Sequence, residues 1–462
     1  MRLVHLNCLL ILSAIVAYFV VRGIRNPTKL RLVDIASAMM AFAFTLAPIA
    51  GAAFGGQALE AFSDQVLYTA YFGVVFFVVG MQVAKQVWFR CVAPQLSADK
   101  SIRDVLMASP SVKTTLVVVC SLAYLATLVM LTFVYNARSI TSADQSDLPY
   151  ALSVARGITT IVGGASFLWA IFMLGRSSLA SVPATLIISG TVFMNLVTTS
   201  RRWVAEAMIT FLLVMVVRRG KLMWRHVLVV VAVAGFGYAV VLPEMWTMRR
   251  AMNNSVGNTI TERFQDAFQL YWRGVYHDAE SAESLRANLA DRTFIMSFNS
   301  LIVEDQQVQD QMGGRCLVAI LQAATPSALY EYLGMQKRIY ASEQLVQLWY
   351  GRQMYDASSN WPAFGQADFG LAGAFLYGLI YGSIFCGAEL LAIRWRHTRP
   401  FLSLCLLATY LGYTLRVEEG AESIIVSIRD SLIVFVFFIP IYFLSSPPLR
   451  DEQDRPIVLG TT

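Results

Sequence analysis

Apolar segments about twenty residues long recur along this chain, and they decide what it can fold into. Inside a bilayer, backbone polar groups are satisfied only within helices or closed barrels, and segments of this length suit helices. With 56% hydrophobic and 14% charged residues, the 462-residue chain is far too apolar for a soluble enzyme. We therefore predict an all-α polytopic membrane protein with about eleven transmembrane helices. The segments are 3–21, 33–54, 66–84, 114–135, 157–174, 179–197, 204–217, 227–242, 369–391, 401–415 and 424–444.

One long segment, residues 244–368, is poor in such apolar runs. Thr259 and Glu262 have capping-box spacing and open an amphipathic pattern, so this segment is predicted to be helical. The apolar run 293–303 is too short to cross a bilayer and predicts a buried or interface-lying helix. Four parts follow: a bundle of about eight helices, a large helical loop domain, about three further helices and a tail. Their ranges are 1–243, 244–368, 369–446 and 447–462.

The net charge of +6 has its explanation in topology. Lys and Arg collect in alternate loops, while the opposite loops carry acidic residues, and basic loops stay in the cytoplasm. The large loop and the N-terminus are therefore predicted on the outer face and the C-terminus inside. Because the positive charge is used in this way, we predict no nucleic-acid partner.

Cysteine usage offers neither a disulfide framework nor a metal site. The six cysteines have no paired spacing, and five lie in or beside apolar segments, which leaves Cys316 alone in the large loop. The outer segments also show no His, Cys and acidic cluster at ligand spacing. We therefore expect no cofactor and no metal.

Paired arginines on the outer side are the first candidate site. Arg201 and Arg202 stand where the charge bias disfavours them, with Glu206 one turn further along. One interpretation is an interfacial anchor with Trp203 as its aromatic partner and Glu206 as an ion-pair partner. The other is an outward-facing anion site, because an arginine fork matches phosphate bidentately.

Further charged candidates lie in the large loop and before the last segment. Arg292 and Arg338 border apolar or Pro/Gly-punctuated stretches, where a charge is less easily solvated. A second group of charged residues surrounds the last outer turn. There a carboxylate could act as a base, and an arginine could stabilise an anionic leaving group. It consists of Arg416, Glu418, Glu419, Glu422, Arg429 and Asp430.

The end of the large loop carries a family resemblance. Residues 358–373 read SSNWPAFGQADFGLAG. This stretch resembles the segment that re-enters the membrane after the large periplasmic loop in bacterial O-antigen and oligosaccharide repeat-unit polymerases of the Wzy type. Ser200–Arg201 and Thr325–Pro326 are similar to further short motifs of those proteins. The positions that carry the likeness in the first stretch are Gly365, Asp368, Phe369, Gly370 and Gly373.

The resemblance implies a GT-C-like, metal-independent glycosyltransferase. Such an enzyme transfers a growing glycan from undecaprenyl diphosphate to the non-reducing end of a new lipid-linked repeat unit at the periplasmic face of the bacterial inner membrane. A chain-length regulator and a flippase would be its partners beside the lipid bilayer. For such an enzyme the candidate catalytic acids are Asp368, from the resembling stretch, and Glu419 and Glu422, from the charge pattern of the last outer turn. The candidate diphosphate- or glycan-binding residues are Arg201, Arg202, Arg292, Arg338, Arg416 and Arg429.

Three other classes share parts of this pattern. An O-antigen ligase has the same architecture but is expected to carry a catalytic histidine late in the loop, whereas His277 comes early. Another polyprenyl-linked GT-C glycosyltransferase would present acids in an early outer loop, where Glu60 and Asp64 qualify loosely. A flippase or transporter needs no large outer domain and more often shows internal repeats.

Overall fold

A computed structural model describes most of the chain, and its regular elements are all helical. The described residues are 3–26, 29–54, 61–92, 94, 101–131, 150–174, 178–197, 201–219, 260–275, 294–325, 330, 332–334, 342–352, 360–417 and 421–445, with isolated positions between 228 and 256.

Fifteen α-helices are numbered here in chain order within these described ranges. The first eight are α1 Leu3–Arg25, α2 Leu32–Phe54, α3 Asp64–Gln86, α4 Ile102–Met107, α5 Thr114–Val129, α6 Tyr150–Met173, α7 Ser178–Val197 and α8 Arg201–Arg219. The next four are α9 Ile260–Trp272, α10 Phe294–Asp305, α11 Arg315–Ala324 and α12 Ser342–Tyr350. The last three are α13 Trp361–Trp395, α14 Pro400–Leu415 and α15 Ala421–Ser445, and a π-helical turn, Val87–Val92, extends α3.

Ten of the eleven apolar segments coincide with helices, and the segment 227–242 falls almost wholly outside the described residues. Four helices within the described part are long and apolar enough to cross a membrane, or five if α4 and α5, which meet at 105°, form one broken span. The apolar described parts of α2, α7 and α14 are shorter. The protein is thus an all-helical chain whose apolar helices suit a bilayer.

Helices α3 and α13 form the centre of the bundle through glycine contacts. A Cβ on Gly382 would lie 2.8 Å from the Cα of Met81, and one on Gly378 would overlap the backbone of Phe77. Small residues let two backbones approach this closely, which is how helices associate where no water drives them together. The two helices run in the same direction, since Phe77 faces Gly378 and Met81 faces Gly382.

Helix α13 is broken and doubles back on itself. Phe369 and Gly370 have non-helical backbone angles, so residues 361–368 form a short helix, α13a, and residues 371–395 a long one, α13b. The ring of Trp361 lies 5.2 Å from that of Tyr381, and a Cβ on Gly365 would lie 2.7 Å from the carbonyl oxygen of Gly373. The two parts therefore form a tight antiparallel hairpin.

The segment predicted as a large outer loop contributes to this bundle. Helix α10 corresponds to the short apolar run and packs against α2, α3 and α13. Its side chains Ser297, Asn299 and Ser300 are buried, and Asn299 accepts a hydrogen bond of 2.9 Å from Asn360, the N-cap of α13a. Residues 294–305 thus form a buried helix, one of the two forms that the short apolar run predicts.

Candidate functional site

Asp368 ends α13a at the tip of the hairpin, and its side chain is fully buried. One carboxylate oxygen accepts the backbone N–H of Cys316 at 3.0 Å, and the other accepts the N–H of Leu317 at 3.1 Å and the hydroxyl of Tyr377 at 2.5 Å. The N-terminal N–H groups of a helix have no partner inside it and carry partial positive charge. Asp368 therefore caps α11 and ties it to the hairpin.

The loop before α11 in turn donates hydrogen bonds to the C-terminal end of α13a. The N–H groups of Met312 and Gly313 donate to the carbonyls of Ala367 and Asp368 at 2.9 and 3.0 Å. These carbonyls end α13a and would otherwise lack partners. The side chain of Gln306 also donates to the carbonyl of Gln366 at 2.5 Å. Two helix ends thus satisfy each other, and we call this arrangement the hairpin clasp, residues 306–317 with 361–377.

Glycines make the tip of the clasp possible. Gly370 has φ +62° and ψ −144°, a conformation that side-chain-bearing residues rarely adopt. Gly314 has φ +89°, and a Cβ there would lie 3.1 Å from the ring of Phe369. Residues that carry the family resemblance therefore have structural roles in the hairpin. Gly365 permits the close approach of its two parts, Gly370 adopts the backbone conformation of the break, and Asp368 caps α11.

Glu422, in the first turn of α15, is joined to α12. Its carboxylate accepts hydrogen bonds from both the backbone N–H and the hydroxyl of Ser342, the first residue of α12. Burial raises the pKa of the Cys316 thiol, and the negative charges of Asp368 and Glu422 raise it further. The fold therefore brings two of the three predicted catalytic acids into one region, where Glu422 is part-exposed and Asp368 is not.

A second cluster of charges lies where α6, α8, α14 and α15 meet. The guanidinium of Arg416, which ends α14, binds the carboxylate of Glu206 through two bonds, Nε to Oε1 at 2.8 Å and Nη2 to Oε2 at 3.1 Å. Arg416 also lies over the ring of Tyr413 at 5.5 Å. The side chain of Glu206 is 9% exposed and that of Arg416 is 27% exposed. Sequence analysis names the paired arginines before it as partners of Glu206. The structure adds Arg416, and the side chains of Arg201 and Arg202 lie outside the described part.

The neighbouring pair is Arg429 and Asp430. Two guanidinium nitrogens of Arg429 donate to Oδ1 of Asp430 at 3.0 and 2.9 Å. Asp430 also lies against Gly157, where a Cβ would overlap it, and interacts electrostatically with Arg156. The buried Tyr124 interacts electrostatically with Arg156, Glu206 and Arg416.

This group is called the outer charge cluster below, after the side on which the charge bias of the loops predicts it. Its described members are Tyr124, Arg156, Glu206, Arg416, Arg429 and Asp430. The three arginines outnumber the two carboxylates, so the described cluster has a positive excess that suits an anion. Arg156 is the charged member that sequence analysis missed. Its signal was a charged residue one position before the apolar segment 157–174.

Several predicted site residues, or their side chains, lie outside the described part of the chain. Arg292, Arg338 and Glu419 are outside the described residues. Arg201 and Arg202 begin α8, so the backbone sets them one turn before Glu206, but their side chains lie outside the described part. Their predicted roles stay predictions.

Sequence analysis also missed a buried ionic network at the opposite end of α13b. Arg31 binds Glu389 at 2.9 Å and lies over the ring of Phe89 at 4.3 Å, and Glu389 accepts the backbone N–H of Leu32 at 2.8 Å. Beside it, Lys85 and Asp34 are paired at 2.5 Å with side chains only 8% and 5% exposed. A glutamate inside the apolar segment 369–391 was the available signal. Every charge in this network has a partner, which favours a structural role.

The fold defines a class, an all-helical protein whose apolar helices associate with a membrane. Comparisons with models of protein families, with curated proteins and with solved structures give no match for this chain. Within the part of the chain that the structure describes, no three His, Cys, Asp or Glu residues are grouped so that they could ligate a metal ion. The metal-independent activity remains a prediction.

Proposed function

We propose that this chain is a membrane glycosyltransferase that polymerises undecaprenyl-diphosphate-linked oligosaccharide repeat units. It works at the periplasmic face of a bacterial inner membrane, with about eleven transmembrane helices, the N-terminus outside and the C-terminus in the cytoplasm. The growing glycan passes from its lipid carrier to the non-reducing end of a new lipid-linked unit. A chain-length regulator and a flippase would act with it on the same polysaccharide.

The observation that carries the proposal is the hairpin of α13. Its tip contains the residues on which the resemblance to the polymerases rests, and they make the break and the close contact that a re-entrant segment needs. Irregular backbone at membrane depth is tolerated only where protein or a polar cavity surrounds it. The hairpin clasp supplies such surroundings, because the orphan backbone groups at the tip are bonded to residues 306–317.

The outer charge cluster supports the choice of an anionic substrate. In the proposed site Arg416 and Arg429 bind the diphosphate, with Arg201, Arg202, Arg292 and Arg338 as the further candidates from sequence. Charge-assisted bonds from guanidinium to phosphate gain strength in a partly desolvated site. Glu206 and Asp430 hold Arg416 and Arg429 in place before substrate arrives, which reduces the side-chain entropy lost on binding.

The proposed chemistry uses Glu422 or Glu419 as the general base. The carboxylate takes the proton of an acceptor sugar hydroxyl, whose oxygen then bonds to the anomeric carbon of the donor glycan. The bond from that carbon to the diphosphate breaks, and undecaprenyl diphosphate leaves with its charge stabilised by the arginines. Glu422 and Arg429 are seven residues apart on one helix, so they share a face at a rise of about 10 Å. Asp368, with three donors already bound, is a positioning residue in this scheme.

Polymer synthesis by the purified chain tests the proposal. A lipid-linked single repeat unit is supplied without nucleotide sugar or divalent metal, and the products are separated by size. We expect a ladder of lengths from the wild-type chain and a loss of roughly tenfold to hundredfold in Arg416→Ala. Arg273→Ala, an exposed arginine just after α9, is the matched control. Transfer of one unit to a different lipid acceptor would instead indicate a ligase, and movement of the lipid without glycosidic bond formation would indicate a flippase.

Arg201 separates an anion site from a membrane anchor. Lysine can reach the same interface and keep the charge, but it cannot make the two parallel bonds of a guanidinium fork. We expect both Arg201→Lys and Arg201→Ala to shorten or abolish the polymer at unchanged protein abundance. Full-length polymer from Arg201→Lys would leave this residue as an anchor.

A further inference from the structure

An apolar groove runs along the outside of the bundle between α1 and α3. It is lined by Ile11, Ile15 and Phe19 on one side and by Val75, Val79 and Val83 on the other, and this open groove has a volume of about 640 Å³. Val79 and Val83 are 47% and 38% exposed although large and apolar. Because both helices are long and apolar enough to cross a membrane, the groove opens sideways towards lipid.

The groove has a direction, because α1 and α3 run side by side in the same sense. Near their beginnings, Asn7 donates a hydrogen bond of 3.0 Å to Tyr68. Further along, the lining passes from Ile11 and Val75 to Phe19 and Gln86. The next turn of α1 leads directly to its basic end.

Basic residues crowd that end of the groove. Arg22 and Arg25 form the last turn of α1, Lys29 follows in the turn to α2, and Arg90 lies in the π-helical extension of α3. Arg25, Lys29 and Arg90 are exposed, and the side chain of Arg22 is 41% exposed.

The acidic residue nearest to Arg22, Asp34, is already paired with Lys85. Arg22 lies 3.8 Å from Asp34, whose two carboxylate oxygens accept hydrogen bonds from Lys85 at 2.5 and 2.7 Å. Among the described residues, the end of the groove is therefore left with a net positive charge on the surface of the bundle. An apolar channel that ends in clustered basic residues fits a molecule with a hydrocarbon chain and an anionic head.

We propose that this groove binds an anionic phospholipid, with an acyl chain along α1 and α3 and the phosphate at Arg22 and Arg25. A zwitterionic lipid fits the groove but gains less at the basic end, because its own cation offsets the phosphate. The site is separate from the outer charge cluster and does not rest on the proposed polymerase activity. By the charge bias of the loops, it lies at the cytoplasmic face.

The test uses the full chain in vesicles of phosphatidylcholine with an equal amount of phosphatidylglycerol. The chain is extracted in mild detergent, and retained lipids are counted by native mass spectrometry. Each basic residue near a bilayer surface contributes roughly fivefold to the binding of anionic lipid. We expect phosphatidylglycerol to be retained over phosphatidylcholine by roughly tenfold or more, and R22Q/R25Q to remove most of that preference.

A groove-filling variant separates the acyl-chain site from the basic end. Val79→Trp occupies the groove and is expected to abolish retention of the lipid. Leu122→Trp is the control, because Leu122 is 61% exposed on α5, away from the groove. It should retain lipid as the wild type does.

A measurement on the wild type covers the case in which R22Q/R25Q fails to fold. Preference for phosphatidylglycerol should fall as salt is raised, because exposed charges are screened within about 8 Å at physiological ionic strength. Equal retention of both lipids by the wild type would overturn the proposal, as would a preference unchanged by salt. A dimer that carries no lipid would assign the groove to a second copy of this chain and also overturn it.

Discussion

Arg416 and Glu206 are 210 residues apart in sequence and are joined by two parallel hydrogen bonds of 2.8 and 3.1 Å. The contact fixes the end of α14 against α8 at the outer charge cluster. An arginine whose fork binds one carboxylate keeps its orientation before an anion arrives.

This pair should be energetically coupled. We predict that Glu206→Gln and Arg416→Lys each lower the midpoint of thermal unfolding in detergent and that the double variant loses less than the sum. The expected coupling is about 0.5–3 kcal/mol, because each single change leaves a partner poorly matched in a mostly buried site. A double-mutant cycle measures it, and strictly additive losses would contradict the contact.

Asp368 should act through the clasp. Asp368→Asn keeps one acceptor oxygen and removes the charge that favours the N-terminus of α11, so we expect a loss of about 2 kcal/mol or more in unfolding free energy. Tyr377→Phe removes a single donor to the same carboxylate and should cost less. Asp368→Ala should cost the most. An order in which Tyr377→Phe is the most damaging would argue against the capping role.

Gly370 should not tolerate a side chain. We expect Gly370→Ala to destabilise the chain by about 1–3 kcal/mol, because its φ of +62° and ψ of −144° strain any residue with a Cβ. Gly412→Ala is the matched control, since a Cβ there meets nothing within 4 Å and alanine favours a helix. Membrane abundance and unfolding midpoint of the two variants provide the comparison. Equal stability of the two variants would contradict a break of α13 at Gly370.

Lys85 and Asp34 should show the behaviour of a buried ion pair. We predict that Lys85→Met alone lowers stability by about 3–5 kcal/mol, because the buried carboxylate of Asp34 then keeps, among the described residues, the single cation Arg22 at 3.8 Å. The double change Lys85→Met with Asp34→Leu should recover much of that loss, since no charge then stays buried without its partner. Unfolding in detergent tests both, and a double variant worse than Lys85→Met would refute this account.

Topology can be tested with the cysteines that the chain already has. Cys91 is exposed, whereas Cys8, Cys120, Cys316, Cys386 and Cys405 are buried. The charge bias predicts that Cys91 is cytoplasmic and that Val308, which is 93% exposed, is outside. A membrane-impermeant thiol reagent should label Val308→Cys in intact spheroplasts and Cys91 only after permeabilisation. Labelling of Cys91 in intact spheroplasts would invert the predicted orientation.

Local sequence determined where the helices are. Contiguous apolar runs predicted α1, α3 and α13b to within a few residues, and α6 apart from its first two turns, since helix position in a bilayer depends on local apolar length. The stretch around Gly365 and Gly370 also indicated an unusual segment, because glycines inside an apolar run mark close packing or a break.

Which side chains meet was decided only by the tertiary structure. Glu206 pairs with Arg416, 210 residues further along the chain, Asp368 caps α11 from across the hairpin, and Arg31 binds Glu389, which is 358 residues away. The attraction between apolar surfaces is not directional. The sequence of one helix therefore says little about which other helix packs against it. Helix positions follow from hydrophobic length within one segment, whereas the partner of each buried charge depends on how separate segments pack side by side.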